Sequence, residues 1–167
     1  MIIGPIKIPN ISLIPSGILS AGPQRLEAAG AAGIPQVVAP GALDMVNFGP
    51  ADTVPAKFKA RHFYQHNPTV TLMRTTSAEN TTLRTLIGKK LSEAVGPVAF
   101  FYPTEAVSAI AGEGGVFEDK KADAAFLKSL RKSMSEDVPL IEMSNHINDT
   151  EFSEAMAKKL IELMETN

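Results

Sequence analysis

Thr76-Ser-Ala-Glu-Asn-Thr-Thr-Leu-Arg-Thr-Leu-Ile-Gly-Lys-Lys-Leu-Ser-Glu-Ala-Val-Gly-Pro-Val-Ala-Phe-Phe-Tyr102 decides the fold class. Its opening, Thr76-Ser-Ala-Glu79, is a capping box: the Thr76 hydroxyl accepts from the Glu79 N–H while Glu79 reaches back to the N-cap. Leu83, Leu86, Ile87, Leu91 and Val95 then recur at helical spacing, and Gly96-Pro97 stops the helix. Val98 to Tyr102 is apolar at every position, the pattern of a strand buried on both faces.

The same alternation extends on either side. Upstream, Gln36-Val-Val-Ala39 reads as a short buried strand, preceded by a helix over about residues 24–32 that Gly33 and Pro35 close. Val70-Thr-Leu-Met73 reads as a further strand of the same series. Downstream, Asp119 caps a helix carrying Phe126, Leu127, Leu130 and Met134; Val138 to Met143 is a strand. A last helix, capped by Asn148 or Asp149, carries Phe152, Met156, Leu160, Leu163 and Met164. Strands alternating with helices imply parallel strands joined by helical crossovers. The expected fold is α/β: a small parallel sheet in three layers, with helices on both faces. Residues 40–69 show little regular pattern and read as a long polar, glycine-rich stretch, of the kind that is functional or else mobile.

The chain of 167 residues divides into an apolar arm or edge strands over 1–16 and one domain over 17–167. Seven apolar residues between Ile2 and Ile14 are interrupted by Pro5 and Pro9, which prevents helix and central-strand pairing. Sixteen basic against eighteen acidic residues leave a formal charge of −2, without the basic excess of a sequence-independent nucleic-acid binder. The absence of Cys excludes disulfides, thiolate metal sites and a thiol nucleophile. No apolar run approaches the ~18 residues of a membrane span, and no leader pattern is recognised, so the expected location is cytoplasmic.

Ligands of open parallel sheets bind beyond the strand carboxyl ends. The segments that follow the predicted strands hold Asp44, Asn47, Arg74, Thr75, Thr76, Glu105, Ser108, His146, Asn148 and Asp149. Arg74-Thr-Thr76 stands beside a helix N-terminus, where free N–H groups and a guanidinium suit a phosphate or carboxylate. The opposing reading is that Thr76 only caps and Arg74 only pairs with a nearby acid. Ligand-binding candidates are Gly41, Asp44, Asn47, Arg74, Thr75, Thr76 and Asn148. His146 with Asp149, or Asp44, are the candidates for acid–base work. Ser20 and Ser108 lack the flanks of a nucleophile elbow. His62 and His66 stand four apart, but Asn67-Pro68 argues against a helix there, so no metal site is expected. Neither a Walker loop nor a dinucleotide fingerprint is present.

Several long ordered stretches resemble the Tm-one-like ATP-binding family. They are Gly17-Ile-Leu-Ser-Ala-Gly-Pro23 with Arg25-Leu-Glu-Ala-Ala29, and the run from Gly33 through Pro40-Gly-Ala-Leu-Asp-Met-Val-Asn-Phe-Gly-Pro50. His66-Asn-Pro-Thr-Val-Thr-Leu-Met-Arg-Thr-Thr76 and His146-Ile-Asn-Asp149 complete the likeness. The resemblance implies Rossmann-like architecture, a partner half with a Gly-Thr-x-Asp-Thr-Lys-type loop not found here, and ATP or another phosphorylated ligand as cofactor. It carries over no catalytic residue.

Three functions follow as expectations. The first is a domain that binds a nucleotide or another phosphorylated or carboxylated small molecule, non-catalytic on its own. The second is an enzyme acting on an anionic metabolite through His146, Asp149 or Asp44. The third is a structural subunit that completes a separately encoded N-terminal half. A homo-oligomer built through the arm is expected, because an uncovered parallel sheet would expose an apolar face. No nucleic acid or membrane partner is expected.

Overall fold

The computed structural model describes residues 17, 18, 20 and 22–166; the arm at 1–16, and the oligomer contact expected of it, lie outside the described residues. Three parallel strands form the central sheet: β1 (Gln36–Val38), β5 (Val98–Pro103) and β6 (Leu140–Met143), in the order β1-β5-β6. Gln36 stands opposite Val98, and Phe100 opposite Leu140.

The apolar pattern of β5 explains the layers. Successive side chains of a strand point to opposite faces. Val98, Phe100 and Tyr102 pack with Leu83, Ile87, Leu91, Phe126 and Leu130, which come from α2 (Ser77–Ser92) and α3 (Lys120–Ser133). Ala99 and Phe101 pack with Phe152, Met156 and Leu160 of α4 (Thr150–Glu165) on the other side. All six residues of β5 are buried. The three-layer α/β reading, with a Rossmann-like parallel sheet, therefore holds.

A second sheet was not foreseen. Val70–Arg74 is a strand (β4), but it belongs to a separate antiparallel sheet with β2 (Met45–Phe48) and β3 (Phe63–Asn67), in the order β2-β4-β3. The stretch 40–69 is thus structured, with two 3-10 turns, Ala51–Thr53 and Ala56–Phe58, between β2 and β3. Val46, Phe48 and Met73 form its small core with Val54, Phe58 and Phe63. The signal was weak because β2 alternates over only four residues and the outer half of β3, Gln65 to Asn67, is exposed and polar. The β3–β4 turn is set locally: Asn67 Oδ1 accepts from the Thr69 N–H at 2.9 Å and from the Thr69 hydroxyl at 3.0 Å.

The first helix is shorter than predicted. Only Ala28–Ala31 (α1) is α-helical, because Leu26 adopts φ +75° and the chain before it is a turn. Burial of the Leu26 side chain in the main core offsets that unfavourable backbone. Lys90 of α2 holds the turn by donating to the carbonyls of Pro23 and Arg25 and by pairing with Glu27 at 2.7 Å. The Thr76–Glu79 capping box forms as read. Gly96 ends that segment where a Cβ would lie 2.4 Å from the Gly33 carbonyl oxygen. No helix among the described residues is long and apolar enough to cross a membrane.

Candidate functional site

A cleft of about 670 Å³ opens at the carboxyl ends of β5 and β6. Tyr102, Thr104, Glu105 and Ala106 line it from the end of β5, Gly112 and Glu113 from the loop that follows, Lys120, Asp123 and Leu127 from α3, and His146 from beyond β6. Backbone pairing continues past the strand ends and holds the two walls together. Thr104 N donates to Met143 O at 2.9 Å, and Ile147 N donates to Ala106 O at 2.9 Å. The loop side is held by Glu118, whose carboxylate accepts from Gly114 N at 2.8 Å, and by Asp119, which caps α3 through Ala122 N at 2.9 Å. Behind them Phe117 is fully buried, with the rings of His62 and Tyr64 edge-on to it.

His146 is the one acid–base candidate that reaches the cleft. Its Nδ1 accepts from the Asn148 N–H at 3.0 Å, and its Nε2 lies 3.0 Å from the Ser108 carbonyl oxygen. A carbonyl only accepts, so Nε2 carries the proton and both ring nitrogens are occupied. The expected His146–Asp149 pair does not form through the ring. Asp149 Oδ2 accepts instead from the His146 backbone N–H at 2.8 Å. Asp149, rather than Asn148, holds the N-cap position of α4, with no side-chain capping bond. Asn148 is exposed and outside the lining.

Asp44 is buried away from the cleft, and its Oδ2 accepts from the Ser108 hydroxyl at 2.7 Å. Burial raises its pKa, an effect that the Ser108 hydrogen bond and the nearby Arg74 charge reduce. This makes it a cross-link between the β1 and β5 loops. Gly41 is buried, and Asn47 sits within β2 opposite Leu72. Thr75 is also buried, bonded to the Leu43 carbonyl at 3.0 Å and to Asn80 at 3.2 Å. Thr76 is used up as the helix cap. None of these five lines the cleft.

Arg74 lies one residue behind the wall. It is 5% exposed, and its Nη2 donates to Asp123 Oδ1 at 2.9 Å. The reading that Arg74 pairs with a nearby acid thus describes its geometry. Burial raises the pKa of Asp123, and Arg74 opposes that shift. A second buried guanidinium, Arg84 of α2, lies 3.3 Å over the Phe126 ring, and burial lowers its pKa to about 8.

Reasoning from the loops after strands reached Glu105 and His146. It missed Tyr102, Lys120 and Asp123. The signal for these three was present in the unit made of β5, the glycine loop and the Asp119-capped helix, which is the strand–loop–helix arrangement that places side chains over a sheet's carboxyl edge. Among the described residues no cluster of acidic or histidine side chains is arranged to hold a metal ion.

Residues 11–164 match the family described as "Uncharacterised protein family (UPF0261) C-terminal domain". A UPF0261 protein of Clostridium tetani is 57% identical over 150 residues, covering 89% of this chain and 37% of that protein. UPF0261 protein mlr3387 of Mesorhizobium japonicum is 41% identical over 147 residues, covering 87% of this chain and 37% of its own length. The ToMV resistance protein Tm-1(GCR237) of Solanum lycopersicum is 36% identical over 149 residues, covering 88% of this chain and 20% of its own. The chain therefore spans about a third of the length of the bacterial relatives it matches.

Proposed function

The chain belongs to the UPF0261 family through its C-terminal domain, and from that premise we propose that it binds a nucleotide or a comparable anionic small molecule in the β5–β6 cleft, without performing chemistry by itself. The observation that carries this reading is the cleft itself, at the strand carboxyl ends, with the Gly112 loop on one side and the first turn of α3 on the other.

The charges narrow the ligand. Glu105, Glu113, Glu118 and Asp123 face the cleft with Lys120 and His146. Glu118 is matched by Lys120 at 3.3 Å and Asp123 by Arg74. A bare polyanion would meet repulsion from the other two carboxylates. A ligand with an anionic end and a hydroxyl- or amine-bearing remainder suits both halves: the anion lies by Lys120 and the helix terminus, and Glu105 or Glu113 accepts from ribose-like hydroxyls. A nucleotide has that distribution. The non-catalytic part of the reading is supported by His146, whose ring nitrogens are both engaged.

The proposal includes a cytoplasmic location and assembly with further chain. A partner half is supported by the bacterial relatives, in which 37% of the length corresponds to this chain. Self-association is supported by exposed Ile161 and Met164 on α4 and by exposed Ile34 and Val95 in the segments that precede β1 and β5.

Calorimetric titration of the purified protein with AMP, ATP and inorganic phosphate tests the reading. AMP and ATP are expected to bind, and Lys120→Ala should weaken them about tenfold, the worth of a charged hydrogen bond. Absence of heat and of thermal stabilisation with either nucleotide at millimolar concentration would remove the cleft as a nucleotide site.

A further inference from the structure

Two guanidinium groups lie behind the cleft wall with more donors than the fold uses. Arg74 gives Nη2 to Asp123 and Nη1 to the Asp44 carbonyl at 3.4 Å, while its buried Nε has no hydrogen-bond partner among the described residues. Arg84 is 1% exposed, and its Nε and Nη1 are likewise unpartnered among the described residues. Buried donors without acceptors are costly, and for a charged group the cost is higher. Asp123 stands between Arg74 and the open cleft. Its side chain is 30% exposed, and it meets Arg74 through one oxygen, as a single contact rather than a fork.

We propose that Asp123 is an internal placeholder for the ligand's anionic group: a phosphate or carboxylate entering the cleft takes its position at Arg74, and the Asp123 side chain turns out into the cleft. The inference rests on the cleft reading above and specifies how that site recognises an anion. Only a side-chain rotation is needed, because Asp123 already borders the open space. A phosphate offers more acceptor oxygens than the single one Asp123 supplies, and can take two N–H groups of one guanidinium in parallel. Lys120 lies three residues earlier on the same helix and also lines the cleft, so an incoming anion meets a cation before it reaches Arg74. Burial disfavours the charged form of Asp123, which makes the carboxylate a weak competitor for its own arginine.

The test uses inorganic phosphate as the probe, with acetate to separate carboxylate from phosphate recognition. Calorimetry and thermal shift are run on wild type, Asp123→Asn, Arg74→Lys and the double variant. Asp123→Asn should bind phosphate about tenfold more tightly than wild type, and adding Arg74→Lys should abolish the gain. Where Asp123→Asn fails to fold, the 13Cγ resonance of Asp123 in wild-type protein supplies the readout, and it should move as phosphate saturates the site. Unchanged phosphate affinity in Asp123→Asn, or an unmoved Asp123 resonance at saturation, overturns the placeholder. If AMP still binds wild type in a Lys120-dependent way, that failure leaves the cleft reading standing; if no anion binds any variant, both fall.

Discussion

Ser108 donates its hydroxyl proton to Asp44 across 2.7 Å, and both side chains are buried. The contact ties the loop after β1 to the loop after β5, sixty-four positions apart. The Ser108 carbonyl meanwhile accepts from His146, so one residue holds three loops at the carboxyl edge of the sheet. Of the three residues at this junction, His146 lines the cleft.

Removing the hydroxyl leaves Asp44 without its only side-chain donor among the described residues, since its other carboxylate oxygen is already unpartnered there. Ser108→Ala should therefore destabilise the fold by about 1–3 kcal/mol. Pairing it with Asp44→Asn in a double-mutant cycle should recover part of the loss. Urea denaturation of the four proteins gives the coupling; strictly additive losses would mean that the hydrogen bond contributes nothing.

Asp44 also sets a pH dependence. Burial raises its pKa above the ordinary 3.8, so the folded state holds the proton more tightly than the unfolded chain. Its contribution is fully present below pH 3.8 and is lost as pH rises through the folded value. Asp44→Asn removes that loss. The stability of the variant relative to wild type should accordingly increase as pH is raised from the acid side to neutrality. A difference that stays flat across the series would show that Asp44 does not titrate in this window.

Gly88 of α2 faces Ser133 of α3, and a Cβ there would stand 2.3 Å from the Ser133 hydroxyl and 2.9 Å from its backbone carbon. The hydroxyl could rotate away; the backbone cannot. Gly88→Ala gains helix propensity but forces the helices apart, for a net loss of about 1–3 kcal/mol. Thermal unfolding would check it, and a stabilised variant would refute the close packing.

Tyr102 offers an alkaline test. Burial lifts its phenol from 10.0 to about 12. The unfolded chain ionises first, so the contribution of Tyr102 is intact below pH 10 and falls as pH climbs toward 12. Phenolate absorbance should show a late transition that is missing in Tyr102→Phe, and wild type should lose more stability than the variant over that range. Ionisation of Tyr102 near pH 10 would contradict the burial argument.

What the amino-acid sequence determined by itself was local. Continuous apolar character from Val98 to Tyr102 demanded helices on both faces, and the Thr76–Glu79 box and Asp119 marked helix starts to the residue. These signals act between residues at most four apart, where backbone geometry alone decides who meets whom. Only tertiary structure could assign Val70–Arg74 to an antiparallel sheet, because apolar spacing does not state which strand a neighbour will be. The same holds for the site. Arg74 meets Asp123 across forty-nine positions, and Asp44 meets Ser108 across sixty-four. Each is an ordinary charged or polar residue in its own segment, and each gained its role when packing brought a distant partner within hydrogen-bonding reach.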